Sequence, residues 1–128
     1  MISRGTKPSV LVVDDDLDLL NVLTSYLDTE GYEVARASDG IDALSYMYAT
    51  RPSVVLIDLM MPRMNGLELI EQIRNDRDLV SVPVVAMSGA PDMLARARKA
   101  GANDVLHKPL DPLLIVQALL RNRARVSS

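Results

Sequence analysis

The sequence predicts a single α/β domain in which a parallel sheet carries helices on both faces. Short apolar runs recur along the chain at Val10–Val13, Val54–Ile57, Val82–Met87 and Val105–Leu106, with a weaker run at Tyr32–Ala37. Uninterrupted Val/Ile/Leu runs of this length suit strands buried on both faces, as parallel sheets require. Segments of helical period separate them, giving five βα units in 128 residues. Such alternation implies a doubly wound sheet, and the length fits one domain with a core of its own.

The first helix is expected over residues 16–30, where Leu19, Leu20, Leu23 and Leu27 share helical spacing and Gly31 supplies the stop. The second spans 40–50 with Ile41, Leu44, Met47 and Tyr48, and the third spans 66–75 with Leu67, Leu69, Ile70 and Ile73. The fourth, 91–101, opens on Pro-Asp and closes at Gly101. The fifth, 112–124, follows Asp111-Pro112, an N-cap and first-turn pair, and carries Leu113, Ile115, Val116, Leu119 and Leu120. The fourth is the weakest. Beyond Leu94 its non-polar residues are Ala95, Ala97 and Ala100, and its other face carries Arg96, Arg98 and Lys99. An element with little to bury has low local stability and is free to move. No repeat, low-complexity segment or linker interrupts the domain, expected at 9–124 between flexible ends at 1–8 and 125–128.

Composition removes several functions. The chain has no cysteine and one histidine, His107. Disulfide scaffolds, thiolate metal sites and cysteine nucleophiles are therefore excluded, and multi-histidine zinc sites and a Ser-His-Asp triad have little to build on. Aromatic residues make up 3% and the net charge is −3, which argues against base stacking and against binding a phosphate backbone. The longest apolar runs fall far short of the ~18 residues of a membrane helix. The polar first eight residues do not resemble a signal peptide. A cytoplasmic location without membrane contact is expected.

In open α/β sheets, ligands bind beyond the carboxyl ends of the strands. The first strand is followed by Asp14, Asp15 and Asp16, and the third by Asp58 and Met-Met-Pro-Arg-Met-Asn-Gly66. The fourth is followed by Ser88-Gly89-Ala90 and the fifth by Lys108-Pro109. Singly, each residue has an ordinary role. Asp16 and Asp18 suit a helix start, Asp58 a turn, Ser88 a cap and Lys108 a solvated end, and the X-Pro bond at Pro109 is free to be cis. Together they say more. Carboxylates at close range repel unless a cation neutralises them, and an all-oxygen donor set suits a hard ion such as Mg²⁺. A carboxylate is also a nucleophile toward phosphoryl groups, whose oxygens would meet Lys108 and Ser88.

On these residues the chain resembles the receiver domain of two-component response regulators, from residue 9 to about 124. The matching stretches are Val-Leu-Val-Val-Asp14-Asp15, Val-Val-Leu-Ile-Asp58-Leu-Met-Met-Pro-Arg-Met-Asn-Gly66, Val-Val-Ala-Met-Ser88-Gly-Ala and Gly101-Ala-Asn-Asp-Val-Leu-His-Lys108-Pro109. The resemblance implies a flavodoxin-like (βα)5 sandwich with strand order 2-1-3-4-5. It implies that Asp58 accepts a phosphoryl group from a phosphohistidine on a sensor histidine kinase or histidine phosphotransfer protein. Asp15 and Asp58 would bind Mg²⁺ directly, Asp14 through water, and the Met60 backbone carbonyl would add a ligand. Lys108 would pair with the phosphoryl group and Ser88 would hydrogen-bond it and move toward it. The chain would be no enzyme in its own right, taking part only in its own phosphorylation and autodephosphorylation. Its output would pass through the 91–124 face to a partner or output domain, without direct nucleic-acid contact and with homodimerisation left open.

Some positions depart from the family. Val105 stands where an aromatic side chain commonly reports phosphorylation, so output is expected to rest on the loop after Ser88 and the helix at 91–101. Leu110 replaces a frequent aromatic, and Ser88 a more frequent threonine. Met60 and Ala90, two residues beyond Asp58 and Ser88, are expected at the mouth of the site. There apolar Met60 would restrict the attacking water and lengthen the life of the phosphoryl group. A receiver-like interaction module that is never phosphorylated is the alternative; the full set Asp14, Asp15, Asp58, Ser88 and Lys108 speaks against it. A dehalogenase-like phosphatase needs a second Asp where Met60 stands, and a dinucleotide-binding loop is missing. The basic stretch Arg121–Arg125 is expected to be the solvated end of the last helix, or else the start of a linker to an output domain.

Overall fold

The structure, a computed structural model, describes residues 7–61 and 64–123. Ten elements alternate: β1 (Ser9–Val13), α1 (Leu17–Thr29), β2 (Glu33–Ala37), α2 (Gly40–Ala49), β3 (Val54–Asp58), α3 (Gly66–Asn75), β4 (Val84–Ser88), α4 (Pro91–Ala100), β5 (Asp104–His107) and α5 (Pro112–Asn122). The last helix ends two residues before its expected limit, and residue 124 lies outside the described residues. So do residues 1–6 and 125–128 of the expected flexible ends, and Pro62 and Arg63 of the stretch after Asp58. Among the described residues, no helix is long and apolar enough to cross a membrane.

All strands are parallel, in the order β2-β1-β3-β4-β5. This order explains the unequal strand signals. β1, β3 and β4 are interior strands, and Val10–Val13, Val54–Ile57 and Val84–Met87 are fully buried. β2 and β5 are edges, where Glu33, Arg36, Asp104 and His107 break the apolar run.

Alternate strand residues feed two separate cores. Leu11, Val13, Val55, Ile57, Val84 and Ala86 face α2, α3 and α4, whose Met47, Leu69, Ile70, Ile73 and Leu94 close one core. Val10, Val12, Val54, Leu56, Val85 and Met87 face α1 and α5, whose Leu20, Leu23, Leu27, Ile115 and Leu119 close the other. Helices thus cover both faces, three on one side and two on the other.

Two helix faces differ from expectation. Ile41 and Tyr48 of α2 are 56% and 58% exposed, while Gly40, Ala43 and Met47 point inward. In α5, Leu113 and Leu120 are similarly exposed, and the buried stripe is Ile115, Ala118 and Leu119. In both helices alanine occupies the contact line and allows close approach, so the largest apolar side chains do not mark the buried face.

Side chains cap four helices. Asp16 accepts from the amides of Asp18 (3.0 Å) and Leu19 (3.2 Å), and Asp39 from that of Asp42 (2.9 Å). Asn65 and Glu68 form a reciprocal capping box, and Asp111 accepts from Leu113 N–H at 2.9 Å. α4 differs: it begins at Ala90-Pro91 with no side-chain cap. Its far end is fastened by Arg74. Nε donates to the Gly101 carbonyl (2.9 Å), Nη1 to the Val80 (2.9 Å) and Val82 (2.8 Å) carbonyls, and Nη2 to Asn103 Oδ1 (2.8 Å). Gly101 has φ +121°, a conformation that disfavours side chains, and a Cβ there would stand 2.7 Å from Arg74 Cγ.

Candidate functional site

The carboxyl ends of β1, β3, β4 and β5 bring five of the predicted side chains to one edge of the sheet. Asp14 prolongs β1, its amide donating to the Ala37 carbonyl at 3.1 Å, and is fully buried. Its Oδ1 accepts from Asp16 N–H at 2.9 Å. Asp58 ends β3, is 4% exposed, and accepts from Met60 N–H through Oδ1 at 3.1 Å. Asp15 is exposed beside them, and one oxygen from each of Asp14, Asp15 and Asp58 lies within 4.8 Å of the others. Lys108 Nζ stands 3.8 Å from Asp14 Oδ2 and 3.6 Å from Asp58 Oδ2. The backbone holds it beside β4, with Lys108 N–H donating to the Ser88 carbonyl at 2.9 Å. The Lys108–Pro109 peptide is cis. Ser88 ends β4, is buried, and accepts from Ala90 N–H through Oγ at 3.1 Å.

Burial is the main reason that the Asp14 carboxyl is raised from 3.8 to about 6. The Asp16 amide opposes that rise, the Asp58 carboxylate adds to it, and the Lys108 ammonium opposes it again. With both carboxyls ionised, Asp14 Oδ2 is a buried oxygen with no hydrogen-bond partner. A proton on Asp14 would be shared with Asp58. One ammonium, 3.8 Å from Asp14 and 3.6 Å from Asp58, does not satisfy three carboxylates. The orphaned oxygen and the all-oxygen donor set fit a hard divalent cation.

The other predicted positions lie around this cluster. Met60 is 62% exposed and helps to line a cavity of about 450 Å³ with Asp15, Leu59, Met61, Asn65 and Met93. Ala90 is half-buried as the N-cap of α4 and is not part of that lining. Val105 of β5 pairs with Ala86 of β4 and packs, half-buried, on the core under α2, α3 and α4.

Three features escaped the sequence reading. Gly66 lies so close to the chain after Asp58 that a Cβ would fall 2.6 Å from Leu59 Cα and 2.7 Å from the Asp58 carbonyl. Its Asn-Gly dipeptide ahead of a helical period was the available signal. Asp39, the N-cap of α2 two residues beyond β2, is a further buried carboxylate, marked in sequence by Asp-Gly. The basic C-terminal stretch is not merely solvated. Arg121 Nε donates to Asp104 Oδ2 at 3.1 Å, Arg98 pairs with the same carboxylate at 3.5 Å, and Arg123 lies over the Tyr32 ring at 5.5 Å. Arg125 lies outside the described residues.

Strand order and the acidic edge together define a class, the flavodoxin-like receiver fold. The family model of the response regulator receiver domain matches residues 10–120, and the chain belongs to that family. The DNA-binding response regulator MtrA of Mycobacterium leprae is 38% identical over 116 residues, covering 91% of this chain and 51% of that protein. The probable transcriptional regulator ycf27 of Guillardia theta is 36% identical over 134 aligned positions, covering 99% of this chain and 52% of that protein. The chain therefore spans about half the length of these relatives. Among solved structures, a putative response regulator from Chloroflexus aurantiacus superposes with TM-score 0.87 at 30% identity, covering 91% of this chain and 97% of that one. The receiver domain of sensor histidine kinase PA1611 from Pseudomonas aeruginosa, solved with a magnesium ion coordinated in its active site cleft, gives 0.83 at 27% identity over 91% and 97%.

Proposed function

We propose that residues 9–124 form a phosphoacceptor switch. Asp58 takes a phosphoryl group from a phosphohistidine of a sensor histidine kinase or phosphotransfer protein. One observation carries this: Lys108 Nζ lies within 4 Å of Asp58 at the mouth of a three-carboxylate cluster. An Asp58 oxygen attacks phosphorus, the P–N bond breaks, and the electron pair stays on the departing imidazole. Asp15, Asp58 and the Met60 carbonyl would hold Mg²⁺, with Asp14 acting through water. When bound, the ion supplies positive charge against the phosphoryl oxygens. Lys108 supplies the second charge. Ser88 Oγ, now accepting from Ala90 N–H, exchanges that bond for one donated to a phosphoryl oxygen, which draws the β4–α4 loop toward the site.

The signal leaves through α4, β5 and α5 toward an output domain or partner. The half-length match to DNA-binding and transcriptional regulators supports an output domain, while the acidic receiver itself makes no nucleic-acid contact. The test is exposure to acetyl phosphate and Mg²⁺ followed by intact-mass measurement. A phosphoryl-sized adduct in the wild type that is absent from Asp58→Asn is expected. No adduct in the wild type with any small phosphodonor would overturn the reading in favour of an unphosphorylated interaction module.

A further inference from the structure

We infer that Met60 is a site of reversible oxidation that sets the life of the phosphoryl group on Asp58; this rests on the function proposed above. The chain contains seven methionines and neither cysteine nor tryptophan, so thioethers are its principal redox-labile side chains. Their exposure is graded. Met87 and Met47 are buried, Met61 is 9% exposed, and Met64 and Met93 pack half-buried against the core. Among the described residues Met60 alone is open, at 62%. It is also the methionine tied to the reacting carboxylate, because its amide donates to Asp58 Oδ1 at 3.1 Å. Met60 lines the cavity beside Asp15, with Leu59, Met61 and Met93 as its apolar companions.

Hydrogen peroxide is the oxidant. The Met60 sulfur lone pair attacks one peroxide oxygen, an S–O bond forms and the O–O bond breaks. The proton left on the transferred oxygen passes to the departing hydroxide, which leaves as water. Sulfur loses two electrons and peroxide gains two. The product sulfoxide is a polar acceptor where an apolar group stood, and methionine sulfoxide reductases reverse the change. An apolar wall offers no partner to a water approaching Asp58, whereas a sulfoxide holds one by a hydrogen bond. The oxidised protein loses its phosphoryl group faster, and neither core is disturbed because Met60 packs in neither.

The test treats the wild type and Met60→Leu with hydrogen peroxide, maps sulfoxides by peptide mass, and follows decay of the acyl phosphate after removal of acetyl phosphate. In the wild type, Met60 is expected to oxidise before Met61, Met64 and Met93. The phosphoryl lifetime should shorten about three- to tenfold, the range that one added hydrogen bond to the attacking water converts to. In Met60→Leu, the ratio of treated to untreated lifetimes should stay near one. Oxidation of another of these methionines ahead of Met60, or an unchanged wild-type lifetime once Met60 is oxidised, would overturn the inference alone. Absence of any acyl phosphate in untreated protein would overturn the functional reading and the inference with it.

Discussion

Replacing Asp14 by asparagine removes one charge from the cluster and keeps its shape. The carboxyl is raised from 3.8 to about 6 in the folded protein. Two units at about 1.36 kcal/mol each put the folded-state cost of ionising it at no more than about 3 kcal/mol. An amide keeps the hydrogen bond from Asp16 N–H and donates to Asp58, as a protonated Asp14 would. In metal-free buffer at pH 7.5, Asp14→Asn is therefore expected to be more stable by about 1–3 kcal/mol, or roughly 4–12 °C in Tm for a domain of this size. The sign follows from linkage. A carboxyl raised in the folded state contributes stability that is complete below pH 3.8 and lost as pH rises through about 6. The two proteins should thus converge near pH 4 and separate to a plateau above pH 7. Urea denaturation in EDTA across that range measures the gap. A variant no more stable than wild type at pH 7.5, or a gap that does not change with pH, would refute the electrostatic account. Saturating Mg²⁺ should stabilise the wild type more than the variant.

Other expectations concern the scaffold. Gly66→Ala places a Cβ 2.6 Å from Leu59 Cα. It should cost about 1–3 kcal/mol by urea denaturation and weaken Mg²⁺ binding, because the displaced backbone carries Asp58. Arg74→Met leaves the Val80, Val82 and Gly101 carbonyls without their guanidinium donor. It should cost about 2–4 kcal/mol and speed amide exchange around residues 101–103. Apparent Mg²⁺ affinity, titrated by calorimetry, should fall by up to about tenfold per pH unit below about 6, as a proton competes for Asp14.

The strands were legible because β1, β3 and β4 are buried on both faces and leave uninterrupted apolar runs. The edge strands were fainter because solvent lets Glu33, Arg36 and Asp104 into them. Residues at the site were legible through their place just after those runs, since a strand end fixes where the next side chain stands. Buried helix faces were harder. Ala43 and Ala118 mark close approach, and an alanine carries less pattern signal than the exposed Ile41 or Leu120. Least legible were contacts made by backbone. Gly66 against the Asp58 carbonyl, and Arg74 reaching carbonyls 6, 8 and 27 residues away, depend on how the chain returns, which no local period records.

The fastening of α4 fixes the geometry of any displacement that starts at Ser88. The helix is ten residues long, about 15 Å. Its Gly101 end is clamped, whereas a Cβ on Gly89, ahead of the uncapped start, would meet nothing within 4 Å. A rod held at one end tilts rather than slides. Excursions are then largest at Pro91 and smallest at Gly101, with Leu94 seated in the core between them. Because Met93 belongs to the first turn of the helix and also lines the cavity beside Asp15, a tilt at the start of α4 also reshapes that cavity next to the acidic cluster.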